Sequence, residues 1–189
     1  LEDKDLLITG GNEGTVTVWD YRESKMKISF KRHNGPIYAL EYIPDMNMIA
    51  SGGEDEHLRL WNMDTAKEIH ALKTSNSRIG SLCYLKKAKK IAVGFHKGSI
   101  NVIDLASTNK KVLYTLLGHT NFVSNMYAID EKNMLVSGGE DGKIILWKLM
   151  ETKYELVRTM MKDGTMVRSI ALFPKKELLI SNHDDGYLR

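Results

Sequence analysis

Three observations predict an all-β fold, a β-propeller of four-stranded antiparallel blades: a repeat of 42 to 44 residues, glycine-bearing strand ends at the same step, and short strands alternating with turns. Trp19 and Trp61 lie 42 residues apart, and Trp147 follows 86 residues after Trp61, two further periods on. Ile103 takes the expected Trp position between them. The strand ends Thr9-Gly10-Gly11, Ser51-Gly52-Gly53, Val93-Gly94, Ser137-Gly138-Gly139 and Ser181-Asn182 keep the step. Four-stranded blades repeat every 40–45 residues or so. Helical repeats of that length would need apolar residues at 3.6-residue spacing, which these segments lack.

Each element follows from its composition. Ile37 to Tyr42 reads as a first strand, and Pro44-Asp45-Met46-Asn47 as the turn after it. Met48-Ile49-Ala50-Ser51 is a second strand, apolar because it is covered on both sides. Glu54-Asp55-Glu56 turns the chain, and Leu58-Arg59-Leu60-Trp61 alternates as a third strand. Asp64-Thr65-Ala66 turns again before an outer fourth strand, Glu68 to Leu72. The predicted division is a partial blade at 1–32, a blade at 33–74, a divergent blade at 75–117, a blade at 118–161 and a partial blade at 162–189. Propellers close with about four to eight blades. A four-blade ring, closed by Val167 to Phe173, would leave Glu177 to Ser181 and the start of a third strand surplus. The expectation is an incomplete ring, its remaining blades supplied by more of the same polypeptide or by a second chain.

Bulk properties narrow the function. Of 189 residues, 42% are hydrophobic, enough for a core, and 27% are charged. No apolar run reaches the roughly 18 residues of a membrane helix, so no membrane insertion is expected. Leu1-Glu2-Asp3-Lys4 does not read as a secretory leader. The lone Cys83 cannot form an internal disulfide, which points to a reducing compartment, cytoplasm or nucleus. A net charge of +3 is small for a dedicated nucleic-acid binder.

The spacing within blades carries a resemblance. Gly118-His119 is followed by Asp141 after 22 residues and Trp147 after six more; His33, Asp55 and Trp61 repeat both spacings. The chain resembles the WD-repeat β-propeller family over nearly its whole length. Only Trp19-Asp20 is a literal Trp-Asp pair. The blade near 76–117 departs further, with Ser75 at the His position and Lys97 at the Asp position, and packing alone is expected to hold it.

The resemblance implies hydrogen-bonded tetrads: His33, Ser51, Asp55 and Trp61 in one blade, and His119, Ser137, Asp141 and Trp147 in another. The Asp would accept from backbone N–H groups and from His, with the Ser hydroxyl and indole N–H extending the chain, so that few buried donors stay unpaired. Ser, His and Asp are also the residue types of a hydrolase triad. Here, however, the Ser lies within a strand rather than on a Gly-x-Ser-x-Gly elbow, and the set occurs twice. His57, His70, His96 and His183 show no metal-ligand spacing, and no Gly-x-x-x-x-Gly-Lys-Ser/Thr loop is present. No catalytic, metal or cofactor site is expected.

By the same resemblance the chain is a non-enzymatic scaffold for other proteins or peptides, docking on the rim of second-to-third-strand turns and inter-blade loops. The candidate rim comprises Glu54, Glu140 and Asp184 with the loop residues Asn34, Pro36, Asn76, Arg78, Thr120, Phe122, Gly164 and Met166. Phe122 and Met166 are candidate apolar anchors, since interface cores favour aromatic residues and Met. Two alternatives remain open. Trp19, Asp20 and Arg22, with Tyr21 between them, resemble the Trp-Asp-x-Arg box with which substrate receptors of cullin–RING ubiquitin ligases bind their adaptor. Lys86, Lys87, Lys89, Lys90, Lys175 and Lys176, in first-to-second-strand turns on the opposite face, could track RNA phosphates, as in ribosome assembly. They lack the interleaved aromatic residues that stack bases.

Overall fold

In a computed structural model, residues 5–161, 165–173, 176 and 178–189 are described. The expectations placed on Leu1 to Lys4, Gly164, Lys175 and Glu177 lie outside them. The chain divides into two compact units, Leu1–Ile79 and Gly80–Arg189.

The first unit holds two antiparallel sheets. One has three strands in the order β1-β2-β3, namely β1 (Leu6–Gly10), β2 (Thr15–Asp20) and β3 (Lys25–Lys31). The other has four in the order β4-β5-β6-β7, namely β4 (Ile37–Ile43), β5 (Met48–Gly53), β6 (His57–Asn62) and β7 (Glu68–Lys73). Burial explains their composition. All six residues of β5 are buried, so both faces are apolar or small. By contrast β7, on the outer edge, is largely exposed. Val18, Ile49, Trp61 and Met63 form the core, and Phe30 lies 4.4 Å from Trp61 between ring centroids. Gly52 admits the chain that follows β7: a Cβ there would stand 2.4 Å from the Ile79 side chain.

The second unit is built the same way. Strands β8 (Ile79–Leu85, beginning at the boundary), β9 (Lys90–Phe95), β10 (Ile100–Asp104) and β11 (Val112–Leu116) form one sheet in chain order. Strands β12 (Val123–Ile129), β13 (Met134–Gly139), β14 (Lys143–Leu149) and β15 (Tyr154–Met161) form the next. A two-stranded sheet pairs β16 (Val167–Phe173) with β17 (Leu178–His183). Leu85, Ile100, Val102, Leu135, Ile145 and Trp147 anchor one core cluster, and Val136, Val167 and Ile170 a second. The fold is thus all-β, of antiparallel sheets whose full members have four strands in chain order.

Two irregularities recur at fixed places. The ladder shifts register at the Trp position, between Val18 and Trp19, Leu60 and Trp61, Val102 and Ile103, and Leu146 and Trp147. Such bulges bend a strand and re-aim its side chains; at this position Trp61, Ile103 and Trp147 are buried and Trp19 is exposed. The turn before the third strand always carries a left-handed residue: Gly14 (φ 79), Glu56 (φ 66), Gly98 (φ 87), Gly142 (φ 78) and Gly186 (φ 82). Glycine adopts that conformation without a Cβ clash.

The divergent blade is not held by packing alone, as the sequence had suggested. Its buried Ser81 hydroxyl donates to the Val123 carbonyl at 2.8 Å, and Thr115 donates to Asn101 Oδ1 at 2.7 Å. With no tetrad, other buried polar groups still need partners, and they find them in the backbone and the edge strand.

Candidate functional site

In the second sheet, Trp61 Nε1–H donates to Ser51 Oγ at 2.8 Å, and Ser51 Oγ lies 2.7 Å from His33 Nε2. His33 Nδ1 lies 2.8 Å from Asp55 Oδ1. In the fourth sheet the same path runs from Trp147 to Ser137 at 2.8 Å, to His119 at 2.8 Å, and to Asp141 at 2.9 Å. Both serines are fully buried. Backbone N–H groups hold the carboxylates: Asn34 and His57 donate to Asp55, Thr120 and Lys143 to Asp141. Arg59 adds a cation to Asp55, at 3.3 Å, and bridges to Glu68.

Donor accounting fixes the proton positions. Each carboxylate can only accept, so His Nδ1 carries a proton and donates to Asp. Electrostatics keep the ring neutral, which leaves Nε2 a bare acceptor for the Ser proton. Burial pushes His33 and His119 below the ordinary value of 6.5, outweighing the carboxylate that would raise them. Burial acts to raise Asp55 and Asp141, but their His and backbone donors prevail and hold both below the ordinary 3.8. The pairs are therefore hydrogen bonds from neutral His to carboxylate at neutral pH. The serine has no free lone-pair geometry facing solvent, and its proton is committed.

Partial versions occupy the outer sheets. Trp19 donates to Thr9 Oγ1 at 2.9 Å. In the last sheet, His183 replaces the second glycine found at Gly53 and Gly139. Its Nε2 lies 2.8 Å from Ser181 Oγ, with Thr165 Oγ1 3.3 Å from Nδ1. Sequence reasoning passed over His183; the signal was a histidine where the repeat has Ser-Gly-Gly.

The described rim candidates occupy two kinds of place. Asn34, Asn76, Arg78, Thr120 and Asp184 are exposed. Pro36, Glu54, Glu140, Phe122 and Met166 are half-buried. Glu54 accepts from Tyr38 at 2.9 Å and pairs with Arg78 at 2.9 Å, while Glu140 pairs with Arg168. Arginines of this chain thus meet both acids. Phe122 covers Gly80 and lies 5.5 Å from the His96 ring. The Met166 N–H donates to Asp184 Oδ1 at 2.8 Å.

At the Trp-Asp-x-Arg box, Asp20 accepts the N–H groups of Glu23 and Arg22 and pairs with Lys27 at 3.1 Å, which together lower its pKa. Arg22 turns to Asp5, 2.9 Å away. Lys86, Lys87 and Lys89 are exposed, and the Lys87 backbone N–H donates to Asp130 Oδ1 at 3.3 Å. Lys90 donates to the Glu151 carbonyl at 3.2 Å, and Lys176 is exposed. Among the described residues, no group of three or more His, Cys, Asp or Glu could hold a metal ion, and no helix is long and apolar enough to cross a membrane.

Two family models match the chain. One, described as WD domain, G-beta repeat, covers residues 24–62; the other, described as the tRNA methyltransferase TRM82 WD40 domain, covers residues 112–169. WD40 domains of this kind are in general interaction modules for other proteins. Each matched span contains a complete His–Ser–Asp–Trp path, and with about half the chain covered between them the protein belongs to the WD-repeat β-propeller family.

Proposed function

We propose that this chain is a non-catalytic docking module of a multiprotein assembly, presenting its turn-and-loop rim to partner proteins or peptides. The observation that carries this reading is the duplicated polar path. The residue types that could do acyl chemistry are buried, mutually bonded and repeated in two sheets, which suits a lock and not a nucleophile. Beside the locks, Asn34 and Thr120 stand exposed on loops whose backbone N–H groups bond the tetrad aspartates, and Arg78 is exposed beside Glu54. Rigid support of loop contacts lowers the ordering cost of binding.

A second reading is favoured by one finding, the match of residues 112–169 to the TRM82 WD40 domain. On it the assembly is one that modifies RNA, with this chain as a non-catalytic subunit. The ligase-receptor alternative has less behind it, because Arg22 and Asp20 are engaged within their own sheet.

Cross-linking of the tagged chain in cells, followed by mass spectrometry, tests both. The expected result is a recurring partner cross-linked near Asn34, Arg78 or Thr120 and lost in an Arg78→Glu, Thr120→Glu variant. A methyltransferase as that partner selects the second reading. Cross-links that ignore the rim and survive the substitutions would overturn the docking role.

A further inference from the structure

The first unit carries a cleft of about 540 Å³ lined by Phe30, Lys31, Arg32, Trp61, Ala66, Lys67 and Glu68. It opens where the end of β3 meets the turn between β6 and β7. Lys31, Arg32 and Lys67 are all exposed, and among the described residues none of them forms an ion pair. The one carboxylate in the lining, Glu68, is taken by Arg59 at 2.7 Å. Three uncompensated cations thus converge on one concavity, with the half-buried Phe30 ring beside them. We propose that this cleft binds an acidic segment of a partner protein, its carboxylates set against Lys31, Arg32 and Lys67 and an apolar side chain against Phe30. The inference rests on the docking reading above and names a partner chemistry for it.

Lysines on an edge strand also discourage edge-to-edge aggregation, and β3 is an edge. That role does not account for the arrangement. Lys25 and Lys27, on the same strand, are neutralised by Glu23 and Asp20, whereas the three unpaired cations come from the end of β3, the residue after it and the turn before β7. An RNA strand would follow a longer line of cations, and the flanking ones here are spent on carboxylates. A compact patch of three charges beside an aromatic ring suits a short acidic peptide.

Fluorescence anisotropy on the whole chain tests the cleft. The probe is a rhodamine-labelled octapeptide alternating Glu and Leu, with a Gln-for-Glu peptide and a uridine octamer as comparisons. The Glu peptide should bind and weaken with salt, while the Gln peptide does not bind. Lys31→Gln, Arg32→Gln and Lys67→Gln together should cost about tenfold in affinity, the sum expected of three solvent-accessible charge contacts. Lys86→Gln, Lys87→Gln and Lys89→Gln, an equal charge change in the other unit, should cost nothing. If the first triple variant melts early, Arg32→Gln alone should still weaken the Glu peptide about twofold. Equal binding of the Gln peptide, equal loss in both triple variants, or tighter binding of the uridine octamer through the same residues would overturn the proposal. Rim cross-links without peptide binding would remove the cleft and leave the docking reading standing; absence of both would remove both.

Discussion

The Phe122 ring lies across Gly80, so close that a Cβ built on Gly80 would stand 1.9 Å from Phe122 Cε2. Phe122 leads into β12 and Gly80 lies in β8, so the contact ties two neighbouring sheets of the second unit. Gly80→Ala should therefore destabilise, although alanine is otherwise the better residue in a strand. The expected loss is about 1–3 kcal/mol, the usual cost of forcing atoms into a packed site. Adding Phe122→Leu should recover much of it, because the smaller side chain vacates the clash. Urea denaturation of the four proteins of this cycle provides the check, and a stable single variant would refute the contact.

Asp141 accepts from His119, Thr120 and Lys143, so its loss strips several donors at once. We expect Asp141→Ala to cost roughly 2–4 kcal/mol, in line with removing one partner from a buried network. Asp141→Asn should cost less, since its amide oxygen can still accept from backbone. A urea midpoint unchanged in the alanine variant would contradict the bonding described.

Acid should weaken the protein in two steps. His33 and His119 have folded pKa values below 6.5, so their contribution is complete above 6.5 and is lost as pH falls through the depressed values. Asp55 and Asp141 are depressed below 3.8, so theirs is lost only as pH falls beneath that value. Both signs agree: the unfolded state binds more protons, and stability rises with pH across each window. Urea midpoints should already fall between pH 7 and pH 5, and less so in a His33→Gln, His119→Gln variant. A midpoint that climbs toward pH 5 would reverse the protonation assignment.

Glu54 and Arg78 are partly solvated partners, and Glu54→Gln should shift stability by less than about 1 kcal/mol, as exposed pairs do. Its effect should fall on the rim, where Arg78 loses its carboxylate and points more freely to solvent. Equal thermal melts with a changed pattern of rim cross-links would support this. A large drop in melting temperature would instead make Glu54 a structural residue.

What the sequence made legible was whatever repeats. Trp61 and Trp147, Ser51 and Ser137, and the turn aspartates recur at fixed spacing, and a period reads directly as a stacked sheet. The clash that makes Gly80 obligatory was invisible, because it depends on Phe122, 42 residues away in another strand. The pairing of Glu54 and Glu140 with arginines was equally hidden, since Arg78 and Arg168 sit at different positions of their repeats. The cleft beside Phe30 joins residues from the ends of two sheets, and no pattern within one blade announces it.

His183 shows how one blade satisfies its buried serine by another route. At Gly139 a Cβ would stand 2.6 Å from His119 Nδ1, so a tetrad histidine entering from the loop forbids a side chain there. In the last sheet the corresponding residue is itself histidine, buried to 5% exposure, and its ring reaches Ser181 Oγ from within the strand. His183→Gly would restore the glycine of the other blades, yet we expect it to destabilise. The Ser181 hydroxyl, 4% exposed, would lose its ring partner, at a cost of about 1–3 kcal/mol for a buried unsatisfied group. Amide exchange across β16 and β17 should quicken by roughly tenfold or more, while β12 to β15 stays protected. Adding Ser181→Ala should restore part of that protection by removing the orphaned hydroxyl. If His183→Gly exchanges no faster than the parent, the ring is a bystander and Ser181 has another partner.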